Sequence, residues 1–110
     1  MESEDIKIEN SPYRETRFSK LERNIYSAPY SKRMMMLGGL HEIVLESRHL
    51  KDNGYEDLLS RYLAVISKTS GSSEDYVRMS DILGDLLADK IITAEQYDET
   101  VRKSACNRWL

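Results

Sequence analysis

The chain has 110 residues, of which 40% are hydrophobic and 32% are charged, so it can bury one modest core and is too apolar to be wholly disordered. Its formal net charge of −3 excludes a global positive field that would bring it to nucleic acid or to an anionic membrane. Any binding of that kind would need a local basic patch.

The N-terminal segment carries charge but no apolar period. Residues 1–17 contain Pro12 and a group of acidic side chains near the start: Glu2, Glu4, Asp5 and Glu9. Segments of this composition stay disordered unless contact with another element orders them. The sequence therefore predicts a flexible polar arm over residues 1–17 and a single helical domain over residues 18–110.

Capping signals predict the first two helices. Ser19 and Glu22 have the spacing of a capping box, so a short helix is expected to start there and to end before Pro29. Pro29 suits the first turn of a longer helix that runs to about Lys51. Apolar residues at steps of three and four predict the buried face of this helix: Met36, Leu37, Leu40, Ile43, Val44 and Leu50, with Ser47 completing the stripe.

Two adjacent glycines interrupt this second helix. Each of Gly38 and Gly39 costs about 1 kcal/mol relative to alanine in a helix interior, so a start at Leu40 is an alternative. Close packing against another helix, or a kink, is the preferred interpretation, ahead of a functional hinge.

The second half of the chain contains three further predicted helices. Asn53-Gly54 is expected to end the second helix and to cap a third, antiparallel one from Tyr55 to about Lys68. Serines at 70–73 cap a fourth helix, which Lys90 closes and whose predicted inner face is Val77, Ser80, Leu83, Leu86 and Leu87.

The fifth helix is predicted from a second capping box, Thr93 to Gln96, and is expected to bury Tyr97, Val101 and Ala105, with Trp109 one step further along. The chain contains no segment of sustained strand-like alternation. The predicted fold class is all-α, a small antiparallel bundle of four to five helices with a flexible N-terminal arm.

The sequence offers little support for catalysis. Glu46 and His49 have the Glu-x-x-His spacing of di-iron sites in helical bundles. Helical geometry places His49 nearly opposite the apolar stripe and Glu46 at its margin, so the pair is not expected to project into the bundle. Cys106 has no base near it in sequence, and no phosphate-binding glycine loop is present. We therefore expect no enzyme activity, no cofactor, no metal and no small-molecule substrate.

The expected compartment is the cytoplasm. The single cysteine cannot form an internal disulfide, and the N-terminus lacks the apolar segment of a secretory signal. Apolar runs such as Met34 to Leu37 are far shorter than the roughly 20 residues that span a bilayer. No membrane partner is expected.

Two functions remain. The preferred one is a regulatory, adaptor or assembly protein that binds another protein or a second copy of itself through apolar side chains in excess of core needs: Phe18, Ile25, Tyr26, Met34, Met35 and Trp109. The alternative is a nucleic-acid-binding accessory protein. It would use a basic and aromatic segment, 13–33, through Arg14, Arg17, Lys20, Arg23, Lys32 and Arg33.

Overall fold

The computed structural model describes residues 11–69 and 73–109, and within these ranges every element is a helix. The helices are α1 (Ser11–Ile25), α2 (Tyr30–His49), α3 (Tyr55–Lys68), α4 (Ser73–Ala88) and α5 (Ala94–Trp109). The predicted all-α helical bundle is confirmed. None of these helices is both long enough and apolar enough to cross a membrane.

The chain divides into two compact units. Unit 1 is Met1–Tyr62 and contains α1, α2 and the first half of α3; unit 2 is Leu63–Leu110 and contains the remainder of α3 with α4 and α5. In unit 1, α1 packs along α2, and in unit 2, α4 packs on α5.

The helix α1 begins at Ser11, so the start predicted at Ser19 is wrong and residues 11–17 of the predicted arm are helical. Ser19 lies inside the helix, where its hydroxyl donates to the Glu15 carboxylate at 3.4 Å instead of capping a terminus. Tertiary contacts on the inner face of α1 outweigh the local capping signal. Residues 1–10 of the predicted arm lie outside the described residues.

The helix α2 passes through both glycines without interruption. Its buried face is the predicted one at Leu37, Leu40, Ile43, Val44 and Ser47, while Met36 is partly buried and Leu50 is exposed. A Cβ atom at Gly39 would lie 3.1 Å from Cδ1 of Leu21 on α1, so close helix packing accounts for this glycine. At Gly38 a Cβ atom would have no neighbour within 4 Å among residues 11–69 and 73–109.

The end of α2 is a Schellman motif centred on Lys51, so the predicted stop at Asn53-Gly54 is wrong. Lys51 has φ 56, and the N–H of Asp52 donates to the Ser47 carbonyl at 2.9 Å. Asp52, not Asn53, then shapes the start of α3, because its Oδ1 accepts the N–H of Gly54 at 3.0 Å.

In unit 2 the fifth helix starts as predicted. The N–H of Thr93 donates to Oε1 of Gln96 at 2.9 Å, and the N–H of Gln96 donates to Oγ1 of Thr93 at 3.1 Å, which completes the capping box. The inner face of α4 differs from the prediction, since Val77 is 59% exposed and Met79 is buried. The buried positions of α4 are Asp75, Met79, Leu83 and Leu86.

The buried face of α5 is also rotated from the predicted one. Thr100 and Ser104 are buried, while Tyr97, Val101 and Ala105 are only partly buried. The hydroxyl of Thr100 donates to the Gln96 carbonyl at 2.8 Å, which satisfies its polar atom inside the packed face. Local hydrogen bonding therefore lets small polar residues occupy positions that a purely apolar stripe would not select.

Candidate functional site

Two of the predicted protein-binding residues belong to the core. The side chains of Phe18 and Ile25 are fully buried, so they are not available to a partner and that prediction is wrong for them. The reason is the longer α1, whose inner face runs through both residues. Phe18 also lies beneath Arg61, with the guanidinium carbon 5.0 Å from the ring centroid.

The other four predicted protein-binding residues differ in how far they are exposed. Met35 is 77% exposed and Tyr26 is 47% exposed, whereas Met34 is partly buried. Partial burial, reinforced by the negative charge of Glu22, raises the pKa of Tyr26 above its ordinary value. Trp109 ends α5, and its side chain lies outside the described part of the structure.

Arg14 is removed from the predicted nucleic-acid surface by a buried ion pair. Its Nη2 lies 2.6 Å from Oδ2 of Asp52, and its Nε donates to the same oxygen at 3.0 Å. The two side chains are 3% and 2% exposed. Arg14 lies near the start of α1 and Asp52 follows the end of α2, so the pair holds these two helices antiparallel. The Arg14 guanidinium is therefore not available to bind a phosphate.

Arg33 also has a structural role in the turn between α1 and α2. Its Nη1 donates to the Ala28 carbonyl at 2.8 Å, and its guanidinium lies over the Tyr30 ring at 5.9 Å. Lys32 beside it is exposed. The predicted basic segment is therefore split by the fold into structural arginines and outward-facing cations.

The outward-facing cations of α1 form one surface. Arg17, Lys20 and Arg23 are exposed at steps of three residues, and the Arg17 guanidinium lies 5.7 Å from the ring centroid of Tyr13, which is itself exposed. Among the described residues, no acidic side chain pairs with these three cations. We call this group with Tyr13 the α1 basic face.

The acidic residues of α1 point to a different flank, where Arg61 holds them. Arg61 contacts Glu22 at 2.6 Å, Glu15 at 2.8 Å and Asp57 at 3.1 Å. The hydrogen bond with Glu22, followed by those with Glu15 and Asp57, raises the pKa of Arg61 although its partial burial opposes the shift. Sequence reasoning missed this cluster, for which the spacing of Asp57 and Arg61 was a weak signal.

The outward face of α2 carries a second surface that sequence reasoning missed. Six exposed residues follow one another at steps of four and three: Ser31, Met35, Gly38, Glu42, Leu45 and His49. We call this row the α2 seam. Lys32 and Glu46, also exposed, lie along one side of it. The alternating step was readable in the sequence, but the inner stripe of the same helix gave the stronger apolar signal.

His41 and Tyr62 form a polar contact inside unit 1. The Tyr62 hydroxyl lies 2.9 Å from Nδ1 of His41, and the two rings meet edge to face with centroids 5.7 Å apart. Burial raises the pKa of Tyr62 above its ordinary value, so the phenol keeps its proton. Because Tyr62 is fully buried, its contact with His41 contributes to the packing of unit 1.

Within residues 11–69 and 73–109, no three His, Cys, Asp or Glu side chains come close enough to hold a metal ion. Glu46 and His49 both point to solvent on α2. Unit 2 has an open groove of about 790 Å³, lined by Ala64, Ser67, Lys68, Glu99, Arg102, Lys103 and Ala105. Glu99 and Lys103 approach to 3.4 Å at its edge, so the groove offers an apolar floor and a charged margin.

Comparisons with protein-family models, with curated proteins and with solved structures found no match to this chain. Two outward surfaces of unit 1, the α1 basic face and the α2 seam, are the candidate functional sites of this chain.

Proposed function

We propose that this chain is a non-catalytic regulatory, adaptor or assembly protein that acts by binding a protein through the α2 seam. The observation that carries the proposal is the 77% exposure of Met35 on the same face as Gly38 and Leu45. Methionine adapts its shape to a partner surface, and a neighbouring glycine lets a partner backbone approach closely.

The two glycines of α2 support this choice of surface. Gly39 is accounted for inside the molecule by its approach to Leu21, whereas Gly38 faces outward with open space around it. An outward glycine in a helix interior costs about 1 kcal/mol relative to alanine, and at Gly38 no contact with the described part of the chain offsets this cost. A partner that packs against this position would supply the compensating contact.

The polar clusters support a non-catalytic role. Asp52 and the carboxylates around Arg61 are held in ion pairs that join helices of unit 1, and Tyr62 is buried against His41. Catalytic acids and bases need access to a substrate and a pKa suited to proton transfer. Groups bound to each other in this way serve the stability of the fold.

A photo-crosslinking amino acid placed at position 35 tests the proposal. In cells of the natural source, position 35 should give one adduct of defined mass, which Gly38→Leu abolishes. The same probe at Val77, which is 59% exposed in unit 2, is the matched control and should give no such adduct. Equal labelling at both positions, or none at position 35, would refute protein binding through the α2 seam.

The second candidate function is nucleic-acid binding through the α1 basic face. Its supporting observation is the separation of charge on α1, where Glu15 and Glu22 face Arg61 while Arg17, Lys20 and Arg23 face outward. Exposed cations beside an aromatic ring can contact phosphates and stack on a base.

Charge reversal separates this second function from the first. Replacing Arg17, Lys20 and Arg23 with glutamate should abolish the salt-dependent binding to single-stranded RNA. The control replaces three exposed cations of unit 2, Arg78, Arg102 and Lys103, with glutamate. Both triple variants then have the same net charge as each other. If both triple variants bind alike, the α1 basic face is not the site.

A further inference from the structure

The α2 seam is symmetric about position 40. Its residues lie at steps of four, three, four, three and four, so that 31 and 49, 35 and 45, and 38 and 42 are equally distant from the centre. Steps of this kind keep a row of side chains facing one partner helix. A row with this symmetry fits a copy of itself when the copy runs antiparallel.

The four inner positions of the seam then have suitable neighbours on the second copy. Met35 of one chain faces Leu45 of the other, and both side chains are exposed in the single chain. Gly38 faces Glu42, and the absence of a side chain at Gly38 leaves room for the Glu42 chain to reach water. The two-fold axis repeats both contacts, so each dimer contains two of each.

The charges beside the seam follow the same symmetry. Lys32 and Glu46 lie on one side of α2, near opposite ends of the seam, and both are exposed. In an antiparallel pair, the side of one helix meets the same side of the other, which places Lys32 of each chain near Glu46 of its partner. Opposite charges in this arrangement favour the antiparallel register.

From this symmetry and charge pattern we infer that the α2 seam binds the α2 seam of a second copy of this chain, in an antiparallel two-fold dimer. The inference rests on the proposed function, because it names the partner of the same surface. One helix pair is a small interface, below the standard size of stable complexes, so the dimer is weak and forms in the micromolar range or above.

The first measurement is the molar mass of the full chain by light scattering, from micromolar to millimolar concentration. The mass should rise from one chain and level off at two. Gly38→Leu places a large side chain at the closest approach and should weaken the dimer at least tenfold, while circular dichroism confirms that the variant stays helical. Val77→Leu, on an exposed position of unit 2, should leave dimerisation unchanged.

A charge-swap series tests the register. Lys32→Glu and Glu46→Lys should each weaken the homodimer severalfold, because each puts like charges together at two symmetric places. The double variant should restore it. A mixture of the two single variants should form a heterodimer more readily than either forms a homodimer, because every ion pair is complete across that interface.

The outcomes distinguish this inference from the proposed function. A chain that stays monomeric at all concentrations overturns the dimer, while protein binding survives if position 35 still crosslinks a different protein. A dimer that Gly38→Leu and the charge swaps leave unchanged overturns the assigned interface. An increase in mass that appears only with co-purified nucleic acid overturns the dimer and favours the α1 basic face.

Discussion

In unit 1, the ion pair between Arg14 and Asp52 is buried and joins residues 38 positions apart, with 2.6 Å between Nη2 and Oδ2. In unit 2, the ion pair between Lys103 and Glu99 is exposed, lies within one helix turn and measures 3.4 Å. The contribution of an ion pair therefore depends on its burial and on how far apart its two residues lie in the sequence. A buried pair fixes the arrangement of helices, whereas an exposed pair adds little.

The largest effect should come from breaking the buried pair of unit 1. Arg14→Met leaves the Asp52 carboxylate buried without its cation, so the free energy of unfolding should fall by about 3 to 5 kcal/mol. Urea denaturation measures the change. The matched variant Lys103→Met in unit 2 should alter stability by less than about 1 kcal/mol, and equal losses would contradict the comparison.

The apolar core of unit 2 should be nearly as sensitive, but only at its inward positions. Met79→Ala removes a buried side chain from α4 and should lower the free energy of unfolding by about 2 to 5 kcal/mol. Val77→Ala, two residues earlier and 59% exposed, should change it by under about 0.5 kcal/mol. A larger loss for Val77→Ala than for Met79→Ala would instead support the inner face that the sequence predicted.

The helix ends give effects of intermediate size. Thr93→Ala removes the oxygen that accepts the Gln96 N–H, which should cost unit 2 about 1 kcal/mol. Thr93→Ser keeps the hydroxyl and should recover most of the loss. Thermal unfolding of both variants checks the cap, and an alanine variant as stable as the parent would show that solvent replaces it.

Both units contain one lysine in the left-handed region, Lys51 with φ 56 and Lys90 with φ 62. Each occupies the position after a helix where glycine has no Cβ penalty. Lys51→Gly and Lys90→Gly should therefore each raise the free energy of unfolding by up to about 1 kcal/mol. A gain in one unit and a loss in the other would show that the two helix ends are not equivalent.

The smallest effect at neutral pH concerns Tyr62, whose buried phenol has a pKa raised above the ordinary value of 10.0. Below about pH 10, the folded and unfolded chains both keep the proton and its stabilising effect is complete. Above that pH, the unfolded chain loses the proton first, so stability falls. Tyr62→Phe should reduce the slope of stability against pH above 10, and identical slopes would exclude Tyr62 as a cause.

Much of the fold could be read from patterns that span a single helix turn. The bounds of α3, the capping box at Thr93 and the inner face of α2 depend on residues three or four positions apart, and the structure confirms them. The candidate surfaces were harder to predict. In the sequence, Phe18 resembled a surplus apolar residue and Arg14 resembled a surface cation. The local apolar and charge patterns do not reveal that each side chain has a partner elsewhere in the chain.

The sequence alone determined that this protein is all-α, and it determined most helix positions, since capping and apolar period are local properties of the chain. Only the tertiary structure decided that α1 begins at Ser11 and that Arg61 takes Glu15 as a partner 46 residues away. It also decided that Phe18 and Ile25 are buried in the core. These outcomes depend on burial and on contacts between distant segments, which no local pattern encodes.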